Sequence, residues 1–147
     1  MGCDIHGYLE RNLNNKWQFI SFMPFDNYRT YGFYGFLADV RNYSMIEPIK
    51  SNKGFPNDCC GIINDAYKYW EDDMHNVGWI YIEDLINFDY TKIIEDRRIH
   101  GQTCAIGEGK KMQLSEFLGA SYFEILNKLK NYIDEKAPVR LVFWFDN

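Results

Sequence analysis

At 147 residues the chain has the length of a single domain, 1–147, able to bury about two thirds of its unfolded surface without disulfides or metals. Its net charge of -5 argues against coating duplex DNA or RNA, which needs a surplus of Lys and Arg on one face. Aromatic residues make up 18% of the chain, a share that fits either a ring-filled core or rings reserved for ligand pockets and subunit contacts.

Residues 3–10 and 16–23 read as two strands of a hairpin, joined by Arg11-Asn12-Leu13-Asn14-Asn15, whose asparagines tolerate a left-handed backbone. In the first strand Cys3, Ile5, Gly7 and Leu9 share one face, and Asp4, His6 and Tyr8 the other. The second alternates Trp17, Phe19 and Ser21 against Gln18, Ile20 and Phe22, a pattern of burial on both sides. A Gly- and Tyr-rich loop from Phe25 to Phe36 leads into a short helix around Tyr34 to Val40. Residues 42–60, with Pro48, Gly54 and Pro56, form the longest irregular stretch, of the kind that supplies binding loops or lids.

After Pro56-Asn57-Asp58 the chain reads as a helix with Ile62, Ala66, Tyr69 and Trp70 on one stripe, ending near Met74-His75. Trp79 to Tyr81 is then an edge strand, Glu83 to Ile86 one or two helical turns, and Thr91 to Ile106 a ribbon of two short strands. Ser121-Tyr122-Phe123-Glu124 matches a capping box, followed by Tyr122, Ile125, Leu126, Leu129, Tyr132 and Ile133 at helical spacing. Pro138 stops that helix and feeds an apolar terminal strand, Val139 to Phe145. Strands at both ends with helices between them define an α+β class: an antiparallel or mixed sheet containing both terminal strands, with helices packed on a face.

Asp4 and His6, two apart on a strand, point to one side and offer half of a divalent-metal site. Asp146 at the end of the last strand and His75 at the end of a helix would complete two imidazoles and two carboxylates. Such a set suits Mn, Fe or Zn and lowers the pKa of a bound water towards neutrality. Asp4, His6 and His75 are therefore the candidate catalytic residues. Arg29, Arg41 and Arg140 lie in or beside aromatic segments, where a guanidinium grips phosphate while a ring such as Tyr28 or Trp79 stacks on a base. Competing structural readings stand beside each: a hydrogen-bonded Asp-His pair, a helix-end charge for His75, and ordinary ion pairs for the arginines. Gly107-Glu108-Gly109-Lys110-Lys111 lacks the Walker spacing and reads as a solvated turn.

Cys3, Cys59, Cys60 and Cys104 show no C-x-x-C spacing and read as reduced thiols in a cytosol. No signal-like segment opens the chain and no apolar run approaches the roughly 20 residues of a membrane span, so a cytoplasmic protein is expected.

The opening Met1-Gly2-Cys3-Asp4-Ile5-His6 and the ending Val139 to Asn147, which closes Val142-Phe143-Trp144-Phe145-Asp146-Asn147, resemble a family of small phage and prophage proteins of uncharacterised function. Leu37 to Asn42, Gly54-Phe55-Pro56 with Asp58, and His75 to Leu85 extend the likeness. The resemblance implies a phage-encoded protein acting in a bacterial cytosol. Asp-x-His after a strand is also similar to the start of calcineurin-like metallophosphoesterases, but their Gly-Asp and Gly-Asn-His-Asp motifs are absent.

The expectation is thus a small metal-dependent phosphoesterase or nucleotide hydrolase acting on a nucleotide signal of bacterial immunity, with Asp4, His6, His75 and Asp146 holding the ion. The alternatives are a non-catalytic sponge that sequesters such a nucleotide, and a module that binds a host protein. The partner is a small phosphate-containing ligand, without duplex nucleic acid or membrane, and a homo-oligomer is open.

Overall fold

A computed structural model describes residues 2–49 and 53–147, the side chains of Thr103 and Cys104 excepted. The thiol state of Cys104 therefore falls outside the described residues, while Cys3, Cys59 and Cys60 are free. The chain divides into two compact units, one of residues 1–29, 52–87 and 125–147, the other of residues 30–51 and 88–124.

The first unit is built on a four-stranded antiparallel sheet in the order Lys16–Ile20 (β2), Asp4–Leu13 (β1), Val139–Asp146 (β6) and Met74–Tyr81 (β3). β1 (Asp4–Leu13) and β2 (Lys16–Ile20) form the expected hairpin, but its loop is only Asn14-Asn15. Their φ values of 52° and 63° are the positive pair a two-residue type I′ turn demands, which asparagine supplies at low cost. β2 is an edge strand, so of its residues only Trp17 is fully buried. β6 (Val139–Asp146) is central, with every residue but the last buried, as its unbroken apolar run requires.

Both terminal strands thus pair directly, Asp4 opposite Asp146 and Arg11 opposite Val139. One sheet face carries Trp144 and Val142, covered by Ile63, Ala66, Tyr67 and Trp70 of α1, which spans Gly61–Trp70. The other carries the buried Cys3, Ile5, Leu9, Leu141, Phe143 and Phe145. At Gly7 on that face a Cβ would stand 3.2 Å from Leu141 and 3.7 Å from Phe25, so the missing side chain lets these neighbours close on the strand.

β3 (Met74–Tyr81) corrects the sequence reading of this region: the helix stops at Trp70 and His75 lies in a strand, paired with Phe145. Its register shifts between His75 and Gly78, with Asn76 at φ 48°. A bulge of this kind breaks the two-residue alternation by which a strand is recognised in sequence. A short helix, α2 (Ile82–Ile86), packs on β3 and β6 where one or two turns were expected.

In the second unit α3 (Tyr31–Ala38) is buried along nearly its whole length and ends at Asp39, held at φ 60°. It accompanies an antiparallel ribbon of β4 (Ile93–Ile99) and β5 (Gln102–Gln113), longer than the sequence suggested. Gly107 to Lys111 lie inside β5 rather than in a turn. A helix the sequence did not announce, α4 (Leu114–Leu118), follows, and α5 (Ala120–Leu129) begins so early that Ser121 is its second residue instead of its cap. Aromatic packing fills this unit: Phe33 lies 5.3 Å from Tyr122, Phe36 5.3 Å from Phe88, and the Tyr90 and Tyr122 hydroxyls are 2.7 Å apart. Burial pushes the Tyr90 phenol up to about 12. Among the described residues no helix is long and apolar enough to cross a membrane.

Candidate functional site

In an antiparallel pair, residues directly opposite each other project to the same face. The register of β1 with β6 therefore puts Asp4, His6, Tyr8 and Glu10 on the face that also carries Asp146, Trp144, Val142 and Arg140. Acidic and basic groups stand at both ends of this face, with the apolar Trp144 and Val142 between them.

At the first end His6 Nε2 lies 2.9 Å from Asp146 Oδ2, and the Asp4 backbone N–H donates to Asp146 Oδ1 at 3.3 Å. A carboxylate only accepts, so Nε2 carries the shared proton while the imidazole is neutral. The His6 ring leans on Trp70, 4.4 Å between centres, and is stacked 6.2 Å from Trp144. Side-chain exposures of 22% for His6 and 18% for Asp146 leave the pair within reach of solvent. A small depression lined by His6, Tyr8, Met23 and Asp26 adjoins it.

Asp4 turns its carboxylate to Arg29, whose Nε donates to Oδ1 at 2.6 Å and whose Nη2 donates to Oδ2. This two-point grip holds the Asp4 carboxyl below its usual range. Among the described residues no three His, Cys, Asp or Glu side chains gather as a metal group. His6 and Asp146 converge while the Asp4 oxygens face the guanidinium.

His75 does not join them. Opposite Phe145 in the register, it belongs to the other sheet face, its ring stacked 6.1 Å from Phe145. Its Nδ1 lies 2.9 Å from Asn76 Oδ1, and its Nε2 is buried without a hydrogen-bond partner.

At the far end of the same face the arginine is buried, while one of its two acidic partners, Asp58, reaches solvent. Arg140 Nε donates to Glu10 Oε2 at 2.6 Å and its Nη2 to Asp58 Oδ1 at 2.8 Å. Trp17 Nε1 donates to Asp58 Oδ2 at 3.1 Å, and the Cys60 backbone N–H donates to Glu10 Oε1 at 2.8 Å. The guanidinium carbon sits 3.8 Å from the centre of the Trp17 ring and 5.3 Å from that of Trp79, over which Lys53 also lies. Arg140, predicted as a phosphate contact, is thus buried between Glu10 and the exposed Asp58, and Trp79, predicted as a base contact, is half-buried beside it. The sequence reading passed over Glu10, Asp58 and Trp17. Glu10 continues the alternation of Asp4, His6 and Tyr8, and that was the available signal.

Of the remaining predicted contacts, Tyr28 packs 6.0 Å from Phe25. Arg41 belongs to the second unit, where its Nη1 donates to the Tyr43 hydroxyl at 3.2 Å. That unit also has a groove lined by Ile46, Glu47, Phe88, Lys92, Arg97 and Leu114, which contains none of the residues singled out in the sequence. No protein-family model, curated protein or solved structure matches the chain. The class defined by the fold is an α+β protein, with a His6–Asp146 pair and an Asp4–Arg29 pair where its two terminal strands meet.

Proposed function

We propose that the chain is a small metal-dependent phosphoesterase or nucleotide hydrolase of phage origin, acting on a nucleotide immune signal in the bacterial cytosol. The observation that carries this reading is the pairing of Asp4 with Asp146, with His6 Nε2 2.9 Å from Asp146 Oδ2. Two donors bound to one ion at about 2.0–2.2 Å each stand roughly 3 Å apart, so His6 and Asp146 are spaced as neighbouring ligands already. Asp4 supplies the third donor once its carboxylate leaves Arg29. A divalent ion held by His6, Asp146 and Asp4 would supply a water of lowered pKa as the nucleophile towards a phosphate ester. His75 has no part in this set.

A second reading, a sponge that holds a nucleotide unchanged, is favoured by the half-buried rings near His6, Trp70 at 4.4 Å and Tyr8, which rest on the buried Trp144. Stacking on such rings retains a base without any turnover.

One experiment separates the two. Purified protein is titrated calorimetrically with Mn or Zn, then incubated with cyclic dinucleotides and ADP-ribose-type signals with and without a chelator. Conversion of at least one compound, abolished by chelator and by Asp4→Ala, is the expected result. A nucleotide that binds tightly and returns unchanged after heat denaturation establishes the sponge instead. Binding of neither metal nor nucleotide removes both readings and leaves a host protein as the target.

A further inference from the structure

We infer that the outer edge of β4 is a strand acceptor, where an extended, uncharged peptide segment of a partner protein pairs with the backbone of Ile93 and Glu95 and lays apolar side chains into the groove beside it. The edge belongs to the second unit and shares no residue with the Asp4 end, so this binding function stands apart from the nucleotide readings.

Hydrogen-bond phase leaves the edge open. Along a strand of an antiparallel ladder, successive residues point their N–H and C=O groups alternately towards and away from the neighbouring strand. The Leu114 N–H donates to the Lys92 carbonyl at 2.8 Å, one step beyond the pair Ile93–Gln113, so Lys92, Ile94 and Asp96 are the residues that face β5. Ile93 and Glu95 therefore turn their backbone groups outward. Arg97 keeps the same phase, its N–H donating outward to the Ser44 carbonyl at 3.2 Å. There the neighbouring chain leaves the edge, because Met45 adopts a left-handed backbone at φ 56°, which extended pairing cannot follow. Among the described residues no hydrogen bond from outside the ribbon reaches the Ile93 or Glu95 backbone. Their outward N–H and C=O groups form the pattern that an added strand matches.

The space beside this edge has room for such a chain. Two adjoining hollows of about 210 and 230 Å³ share Glu47, Phe88 and Lys92. The buried Ile46 and Leu114 line the first, and Met45 and Ile93 beside them are 57% and 59% exposed. Charge selects the occupant. Lys92 Nζ lies 3.0 Å from Glu47 Oε2, and Arg97 Nη2 lies 2.8 Å from Glu95 Oε2, so each charge lining the hollows is offset by another in the same walls. A charged segment would have to break these pairs or carry an uncompensated charge off water. Apolar side chains meet Ile46, Phe88 and Leu114 at no such cost.

The test selects peptides on the purified full chain from a phage-displayed library of random heptapeptides, and remakes the enriched sequences as capped synthetic peptides for fluorescence anisotropy. The enriched set should be uncharged and rich in β-branched or aromatic residues at alternate positions. Ile93→Pro removes an outward N–H that the ribbon does not use, at an edge position where proline is tolerated. It should weaken binding about three- to tenfold, the effect of one lost hydrogen bond. Methylating the backbone nitrogens of alternate peptide residues should abolish binding in one phase and spare it in the other. Hydrophobic contact alone does not give that signature, and the protein is left unaltered. Equal binding of the two methylated forms, with no loss in Ile93→Pro, overturns the strand acceptor, as does a library that yields no enriched sequence. Enriched peptides rich in Lys, Arg, Asp or Glu overturn the uncharged occupant. Self-association of the free chain in sedimentation, abolished by Ile93→Pro, overturns the partner and gives the edge to a second copy.

Discussion

The two ends of one sheet face, built from the same pair of strands, differ in what surrounds their charges. At the Glu10 end the side chains of Arg140 and Glu10 are 4% and 0% exposed, and two indole rings lie close to the guanidinium. Glu10 and Asp58 accept two hydrogen bonds each there. At the Asp4 end the acids and the imidazole face solvent on one side, and the Arg29–Asp4 grip is itself about half exposed. Both ends contain an arginine, acids and tryptophan, so composition does not separate them. The buried Arg140–Glu10 pair is tied into the packing of the fold, whereas the Asp4 end stays in contact with solvent.

The largest effect should come from breaking the Glu10 end. Arg140→Ala leaves Glu10 as an uncompensated buried charge and should lower unfolding stability by about 3–5 kcal/mol in a denaturant titration. A double variant, Arg140→Met with Glu10→Leu, should recover most of that loss, because it removes the charge along with its partner. If the double variant is no more stable than Arg140→Ala, the network contributes through shape rather than charge.

The open end should behave otherwise. Asp4→Ala severs an exposed pair and should change stability by no more than about 1 kcal/mol, measured in the same titration, while abolishing metal uptake. A loss as large as that of Arg140→Ala would erase the contrast between the ends.

Acid sharpens it further. The Asp58 carboxyl is held below its ordinary value of 3.8 by hydrogen bonds from Arg140 and then Trp17, against an opposing push from burial. A carboxylate with a depressed folded-state pKa contributes stability that is fully present above the unfolded value and is lost as pH falls through the folded one. Stability should therefore decline below about pH 4, and Asp58→Asn should flatten that decline while lowering the plateau at neutral pH. An unchanged acid limb in Asp58→Asn would show that other carboxylates set it.

The smallest effect is a chemical one. Burial, and after it the charge of Glu10, raises the Cys59 thiol to about 11. Alkylation of Cys59 by iodoacetamide at neutral pH should be much slower than that of a free cysteine peptide, since the thiolate is the nucleophile. Mass spectrometry of the labelled protein checks this. Arg140→Ala should change the labelling rate far more than Asp4→Ala, because only the former opens the end where Cys59 sits.

Much of the sheet was legible in the chain itself. Alternation in β1 separates the buried Cys3, Ile5 and Leu9 from Asp4 and His6, and the unbroken apolar run of β6 marks a central strand. Paired asparagines forecast the hairpin turn, though not its two-residue length. β3 was hidden because its bulge at Asn76 breaks the alternation, and a polar stretch before it extends the apparent helix past Trp70. Once that strand is recognised, His75 falls on the Phe145 face, and a ligand set that looked plausible along the chain separates across the sheet.

Local pattern therefore determined which side of its own strand each of Asp4, His6 and Asp146 occupies, because side-chain direction in a strand follows from covalent geometry alone. Only the tertiary structure decided which of them meet. Antiparallel register across a sequence separation of 142 sets Asp4 against Asp146. The same register closes Arg140 onto Glu10 across 130. Charge and aromatic content read alike at the two arginines, but the solvent around a side chain and the partners that satisfy it are properties of packing. These assign Arg140 to the core of the fold and leave Arg29 at its surface beside Asp4.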